Sequence, residues 1–210
     1  MFEDRTAAGK LLAKALEPYA KDSIVLALPR GGVVLGFEVA QQLGIPLDII
    51  VPRKIGHPLH PEYAIGAVDE HGTRILNEGE ARMLDAQWLE DETKRQQEEA
   101  KRRVKLYREA RPPVLLKGKT VILADDGIAT GLTMQLAVRS VKRSHPGKIM
   151  VAVPVAPPEA LQMLAKEGAE VVTLEPPEDF QGAVGAHYHR FPQIEDEEVI
   201  RLLRSAWSGR

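Results

Sequence analysis

The sequence predicts an α/β fold: a doubly wound, mostly parallel five-stranded sheet with flanking helices. Three observations lead to this prediction. Short, almost wholly apolar runs alternate along the chain with segments of helical periodicity. Such apolar runs are typical of strands that are buried on both faces, as in parallel sheets. The 210 residues suffice for one domain with a core of its own, and they contain no internal repeat.

The first part of the chain contains two strands and two helices of this pattern. Residues 3–17 are predicted to form a helix because their apolar residues recur at helical spacing. Residues 24–28 form an apolar strand, and a helix follows over 32–44, where Gly44 is a typical C-terminal stop. Residues 47–51 form the second apolar strand.

An insertion over residues 59–112 then interrupts the alternation. Residues 63–76 have the pattern of a hairpin with Asp69–Gly72 at its tip. Residues 78–110 are predicted to form one long helix, because they lack proline and place Glu four residues before Lys or Arg. Two interpretations stay open for this insertion: a lid or hood over a site, or a solvated helix or dimer contact.

The second part of the chain returns to the alternation. Further strands and helices are predicted at 120–124, 132–144, 149–155, 158–167, 170–174 and 195–207. The five core strands are expected in the order 2-1-3-4-5, within a single domain over residues 1–210. In such sheets the first and third strands are neighbours, and ligands bind in the crevice at the carboxyl ends of the strands.

Composition excludes several classes of function. The chain has no cysteine, which excludes disulfides, thiol nucleophiles, cysteine-ligated zinc and iron–sulfur clusters. The net charge of −2 gives no overall basic field, so nucleic acid is not an expected partner. No apolar run approaches the roughly 20 residues of a membrane span, and the N-terminal segment lacks the apolar stretch of a secretory signal. We therefore expect a cytoplasmic protein, which could form a homo-oligomer.

The sequence VILADDGIATGLTM (121–134) predicts an anion site next to two carboxylates. A strand runs into Asp125 and Asp126, and a loop with two glycines leads into a helix. Backbone N–H groups of such a loop, together with the helix N-terminus, favour a phosphate. The two acids would repel that phosphate unless they bind hydroxyls or a magnesium ion shared with the ligand. A ribose 5-phosphate fits this combination.

Other phosphate-binding and hydrolase motifs do not account for this segment. The chain has neither a Walker A sequence nor the G-x-G-x-x-G pattern of dinucleotide-binding folds. It also lacks G-x-S-x-G and H-E-x-x-H. The remaining alternative is an ordinary strand–turn–helix with capping aspartates, although a cap needs one acid and not this whole combination.

Two further segments place positive charge after predicted strands. The first contains Arg30, Gly31 and Gly32, where an arginine can bind phosphate with two hydrogen bonds and the glycines allow close backbone approach. The second contains Arg53 and Lys54, which are predicted to lie near the same edge of the sheet and could neutralise a pyrophosphate. A solvated basic turn is the alternative for this second segment.

Residues 121–133 resemble the phosphoribosyl diphosphate (PRPP) binding motif of type I phosphoribosyltransferases. The segment PRGG (29–32) looks like the pyrophosphate loop of the same superfamily, which often contains a non-proline cis peptide, here expected within Leu28–Gly32. The wider resemblance covers nearly the whole chain and is to bacterial predicted phosphoribosyltransferases of unassigned substrate.

The resemblance implies a Mg²⁺-dependent transferase that uses PRPP as donor. Asp125 and Asp126 would be the catalytic residues and would hold the ribose oxygens and Mg²⁺, directly or through water. The 5-phosphate would bind Gly127, Ile128, Ala129, Thr130 and Gly131. The pyrophosphate would bind Arg30, Gly31, Gly32, Arg53 and Lys54.

The acceptor is expected to be a small nitrogenous molecule resembling a nucleobase, whose identity the resemblance does not give. Phe180 and Tyr188 offer rings that could stack on it, or they could belong to the core. The alternative function is a non-catalytic regulatory protein on the same fold that senses PRPP or a nucleotide. The intact pair of acids and both anion loops favour the enzyme.

Overall fold

The main sheet is parallel and has the strand order predicted from the sequence. The computed structural model describes residues 1–109 and 111–208, with all side chains in these ranges except those of Glu62 and Pro177. In chain order, the strands are β1 (Ser23–Ala27), β2 (Leu47–Ile49), β3 (Arg53–His57), β4 (His60–Val68), β5 (Arg74–Leu76), β6 (Thr120–Ala124), β7 (Lys148–Ala152) and β8 (Glu170–Val172). The sheet order β2-β1-β6-β7-β8 confirms the predicted order 2-1-3-4-5.

Helices cover both faces of this sheet. In chain order, they are α1 (Arg5–Leu16), α2 (Gly31–Leu43), α3 (Glu78–Ala81), α4 (Ala86–Arg108), α5 (Leu132–Lys142), α6 (Pro158–Lys166) and α7 (Asp196–Ser208). Alternate residues of β1 pack in opposite directions: Val25 and Ala27 join the core formed with α1, α2 and α7. Ile24 and Leu26 join the core formed with α5 and α6. The predicted α/β class is therefore confirmed.

The insertion forms a second, antiparallel sheet with the order β3-β4-β5. The predicted hairpin corresponds to β4 and β5, and Asp69 holds its turn by accepting hydrogen bonds from the backbone of His71 and Thr73. The sequence pattern missed β3, because this strand is largely polar and Ile55 is its one buried residue. Its pairing with β4 is also irregular around Gly56.

The long helix predicted over residues 78–110 is interrupted. α3 ends at Ala81, and α4 begins only at Ala86, because the Asp85 side chain caps it by accepting a 2.8 Å hydrogen bond from the Trp88 backbone. Leu89 then packs against Ile55 and other apolar residues of the insertion sheet. None of the helices in the described ranges combines the length and the apolar character that a membrane crossing requires.

Candidate active site

The two predicted anion loops meet at the carboxyl ends of the neighbouring strands β1 and β6. The Leu28 backbone N–H donates to the carbonyl of Ala124 at 2.9 Å. A Cβ atom placed on Gly32 would lie 2.7 Å from that same carbonyl oxygen and 2.9 Å from the Asp125 Cα. Because backbone atoms cannot yield easily, a residue without a side chain is required here. The structure thus brings the Arg30–Gly32 loop directly against the pair of acids.

Gly31 packs against the second acid and its ion-pair partner. A Cβ atom on Gly31 would lie 2.7 Å from the Asp126 Cγ and 2.8 Å from the Arg5 Nε. The Arg5 Nε donates to the Asp126 Oδ2 at 2.7 Å. The absence of a side chain at Gly31 therefore makes the space in which this ion pair forms.

Arg5 is the site residue that sequence reasoning missed. Its side chain is buried at the start of α1, where Asp4 caps the helix by accepting a 2.9 Å hydrogen bond from the Ala7 backbone. A signal was present in the sequence, because Arg5 shares its helix face with Ala8 and Leu12, which are both buried. A charged residue on the apolar face of a helix needs a buried partner.

Burial dominates the electrostatics of the two acids. It raises the pKa of the Asp125 carboxyl, and the neighbouring charge of Asp126 raises it further. Burial also raises the pKa of Asp126, although the Arg5 guanidinium opposes this effect. The Asp126 backbone N–H donates to the Asp125 Oδ1 at 2.9 Å, which fixes the first carboxylate. A ligand that brings hydroxyl donors or a cation would stabilise the charged form of such a pair.

The loop that follows the acids offers several, but not all, of its predicted contacts to an anion. Ala129 and Thr130 are exposed, and Gly131 takes a φ of 83° immediately before α5 begins. Ile128 has a different role: its side chain is buried in the core, and its N–H donates to the Val155 carbonyl at 2.9 Å. The N–H of Ile128 therefore holds the loop against the core and is not available to a ligand.

The Arg30 side chain extends from the first loop to the start of α7. The peptide bond between Pro29 and Arg30 is cis, which confirms the expectation for this loop. One guanidinium nitrogen donates to Glu195 at 3.2 Å and lies 3.7 Å from Asp196. Both acids are at least partly exposed to solvent. An anion that binds this loop would compete with them for Arg30.

Arg53 and Lys54 lie on β3 and not in a turn, which argues against the alternative of a solvated basic turn. Neighbouring residues of a strand point to opposite faces, so these two side chains do not share one face. Arg53 points toward α4, where its Nε donates to the Gln96 side chain at 3.2 Å. Burial lowers the pKa of the Arg53 guanidinium, and the nearby Arg103 of α4 lowers it further. The insertion thus adds positive charge that an anion could stabilise.

The two aromatic rings proposed for the acceptor occupy different surroundings. Phe180 is partly buried and stacks on the His187 imidazole, with ring centroids 5.4 Å apart. Tyr188 is buried, and its hydroxyl donates to the Asp126 backbone carbonyl at 2.6 Å. Its ring packs between those of Phe2 and Phe191. Tyr188 therefore supports the acid-bearing loop, and its burial favours the core alternative over the stacking surface for this ring.

Asp125 and Asp126 are the carboxylates of this site that could bind a magnesium ion. Among the described residues, no group of three His, Asp or Glu side chains is arranged to hold a metal ion. Asp125 and Asp126 supply carboxylate oxygens of the type that Mg²⁺ binds, and Arg5 already engages one of them. This donor set fits an ion whose other positions are filled by ligand oxygens and water.

A separate cavity of about 580 Å³ lies away from the acids. It opens beside β2 and the C-terminal end of α4, where Arg108 donates to Asp48 at 3.1 Å. Aliphatic residues, including Ile50 and Val104, form much of its wall. None of the site residues predicted from the sequence lines it.

Known proteins resemble this chain over most of its length. Residues 5–190 match the family described as "Phosphoribosyl transferase domain". Over 209 residues, the chain is 40% identical to "Putative phosphoribosyl transferase Rv0571c" of Mycobacterium tuberculosis; the match covers 98% of this chain and 47% of the relative. The chain thus spans about half the length of the curated relatives it matches.

A solved structure gives a closer match. The chain is 46% identical in sequence to TT1426 from Thermus thermophilus, whose crystal structure is known. The alignment covers 98% of each chain, and the two structures superpose with a TM-score of 0.80. It extends the similarity to the insertion as well as the core, because nearly the whole of both chains is aligned. Together with the family match over 5–190, these findings identify the chain as a member of the phosphoribosyl transferase family.

Proposed function

We propose that this protein binds Mg²⁺ and PRPP at the junction of the two loops and transfers the phosphoribosyl group to a small nitrogenous acceptor. The observation that carries the proposal is the direct contact of Gly31 and Gly32 with the Asp125–Asp126 pair. This contact supports a site in which the Arg30–Gly32 loop packs against the two carboxylates and the loop that follows them lies beside it, at the carboxyl ends of β1 and β6. A ligand with a 5-phosphate, a ribose diol and a 1-pyrophosphate has the matching order of groups.

In this function, each part of the site acts on one part of the donor. The exposed residues Ala129 and Thr130, with Gly127 and Gly131, would hold the 5-phosphate through N–H and hydroxyl donors. The two carboxylates of Asp125 and Asp126 would accept hydrogen bonds from the ribose hydroxyls. Asp125 and Asp126 would also hold Mg²⁺, which would supply positive charge to offset that of the phosphates.

The basic residues would stabilise the leaving group. The bond between C1 of the ribose and the pyrophosphate oxygen breaks, the bond between C1 and the acceptor nitrogen forms, and the acceptor loses a proton to solvent or to a nearby base. Arg30 and Arg53 would offset the negative charge that grows on the departing pyrophosphate. They are close enough for the charge of Arg30 to add to the effect of burial in lowering the pKa of Arg53, whereas Lys54 faces the opposite side of β3. Arg30 would exchange its contacts with Glu195 and Asp196 for the pyrophosphate.

The insertion would exclude water from the reacting groups, since an open site would hydrolyse PRPP. The turn between β3 and β4, around Leu59, is exposed at the end of the strand that carries Arg53. The helix α4 is less free to move, because it packs on β3 and its Tyr107 hydroxyl donates to Asp196 of α7 at 2.6 Å. We therefore assign the lid role to the turn and a supporting role to α4.

Calorimetric titration of PRPP, with and without Mg²⁺, tests this function. Wild-type protein is expected to bind PRPP only when Mg²⁺ is present, and Asp126→Ala is expected to weaken this binding strongly. A panel of nucleobases and other amines then tests transfer, with released pyrophosphate as the readout. Wild-type protein that fails to bind PRPP at millimolar concentration would overturn the proposal. Binding without pyrophosphate release for any acceptor would favour a PRPP-sensing regulatory protein.

A further inference from the structure

The Arg5 guanidinium joins three separate parts of the molecule at the acid pair. Its Nε donates to the Asp126 Oδ2 at 2.7 Å, and one terminal nitrogen donates to the Pro192 carbonyl at 2.7 Å. Its central carbon lies 3.7 Å from the centre of the Phe191 ring, in a cation–π contact. The side chain is 9% exposed, so all of these contacts are made away from bulk water.

Stability alone is a weak reason for such an arrangement. A buried ion pair stabilises the folded state little more than apolar residues of similar volume would, because both charges lose their hydration. The N-terminal and C-terminal segments are also joined without Arg5. The Phe2 backbone N–H donates to the His187 carbonyl at 2.8 Å, and the Phe2 carbonyl accepts from His189 at 2.8 Å. The distinctive contact of Arg5 is therefore the one with the Asp126 carboxylate.

That contact leaves the carboxylate one orientation. The Asp126 Oδ2 accepts from the Arg5 Nε and packs against Gly31, and the Tyr188 hydroxyl donates to the backbone carbonyl of the same residue. Because a carboxylate is planar, fixing Oδ2 also fixes the direction of Oδ1. The oxygen positions that a ribose hydroxyl or Mg²⁺ would meet are thus set before the ligand arrives, which lowers the cost of ordering them on binding.

We propose that Arg5 is a positioning residue of this site: it holds the Asp126 carboxylate in the orientation that binds the donor. This inference rests on the proposed function. It assigns a role to a residue of α1, far from both anion loops in the sequence. Arg5 acts through Asp126 and is not expected to contact the donor itself.

The test compares Arg5→Gln with a matched arginine variant, Arg190→Gln. Arg190 joins the same two segments through Glu3 and Asp4, at 3.2 and 2.9 Å, but it is exposed and its ion-pair partners are these two acids. The affinity for PRPP with Mg²⁺ is measured by calorimetry, and thermal unfolding without ligand is measured for each variant. Arg5→Gln is expected to raise the Kd at least tenfold, and Arg190→Gln less than twofold.

A double-mutant cycle separates positioning from direct contact. In the Asp126→Asn background, Arg5→Gln is expected to change the Kd less than twofold, since the carboxylate it positions is already gone. If Arg5→Gln does not fold, Arg5→Lys takes its place, because it keeps the charge but not the two directed donors. Arg5→Lys is then expected to raise the Kd at least threefold.

Three results would contradict the inference. An Arg5 variant that binds PRPP as tightly as the wild type would overturn this inference and leave the proposed function standing. A full tenfold effect of Arg5→Gln in the Asp126→Asn background would also overturn it, because Arg5 would then act independently of Asp126. Wild-type protein that binds no PRPP would instead overturn the proposed function, and this inference with it.

Discussion

The substitution Gly31→Ala tests the packing of the two loops most severely. A Cβ atom at this position would lie 2.7 Å from the Asp126 Cγ, whereas ordinary contacts begin near 3.4 Å. The carboxylate must therefore retreat by about 0.7 Å or more. The Arg5 Nε, 2.8 Å from the same Cβ, must also move. Both partners are displaced, so we expect the ion pair between them to break.

This geometry implies a large loss of folding free energy. Loss of a hydrogen bond between buried charged groups costs about 1.5–3 kcal/mol, and overpacking adds about 1–3 kcal/mol. We expect a free energy of unfolding lower by about 3 kcal/mol or more. For a chain of this size, that corresponds to a fall in the unfolding temperature of about 6–12 °C. Thermal unfolding followed by calorimetry or circular dichroism, without ligand, measures it.

A second glycine provides the control for this prediction. Gly79 lies in the exposed helix α3, where an added Cβ would approach only Asn77, at 3.5 Å. Gly79→Ala is expected to raise the unfolding temperature slightly, because alanine favours the helix by about 0.5–1 kcal/mol. If Gly31→Ala unfolds within about 2 °C of the wild type, the close packing of its loop against Asp126 is refuted.

Three further substitutions test other parts of the structure. Tyr188→Phe removes a buried hydroxyl that donates to the Asp126 carbonyl, and a loss of about 1–2 kcal/mol is expected in urea unfolding; an unchanged midpoint would contradict the bond. Asp85→Ala removes the cap of α4 and should cost about 1 kcal/mol; unchanged stability would argue against a break in the helix there. Hydrogen bonding to Arg139 lowers the pKa of Glu167 to about 2. Glu167→Gln should therefore cost about 1 kcal/mol at pH 7, after allowance for solvent screening of the half-exposed arginine. The stability difference from the wild type is present above pH 4.5 and should shrink as the pH falls toward 2. A difference that stays constant over that range would exclude the ion pair as its source.

The core could be predicted because its signals are local. Strands buried on both faces are apolar throughout, so runs such as 120–124 were recognisable without knowledge of their neighbours. Strand ends were less predictable. The run 149–155 was expected to be a strand throughout, but β7 ends at Ala152. Pro154 follows two residues later, and it cannot donate to a ladder.

Features that depend on distant partners were missed for a physical reason. β3 has one buried residue, and its strand character comes from pairing with β4. Arg5 is 121 positions from Asp126 and 187 from Pro192, so no local pattern reveals its contacts. The break before α4 has a local cause. It depended on whether the Asp85 side chain would accept a hydrogen bond from the Trp88 backbone and so start a new helix, or whether the helix would continue through it. The positions of the two glycine-bearing loops at the strand ends were predictable because glycines and acids follow apolar strands directly.

The most direct test of the account is a crystal structure of the wild-type protein grown with PRPP and Mg²⁺. We expect the 5-phosphate to lie within hydrogen-bonding distance of the Thr130 hydroxyl and of the backbone N–H groups of Gly127, Ala129, Thr130 and Gly131. The pyrophosphate should then lie at Arg30, whose guanidinium should have left Glu195. The ribose hydroxyls should lie at Asp125 and Asp126. PRPP bound elsewhere, for example in the cavity beside Asp48, would contradict the assignment of these loops to the donor.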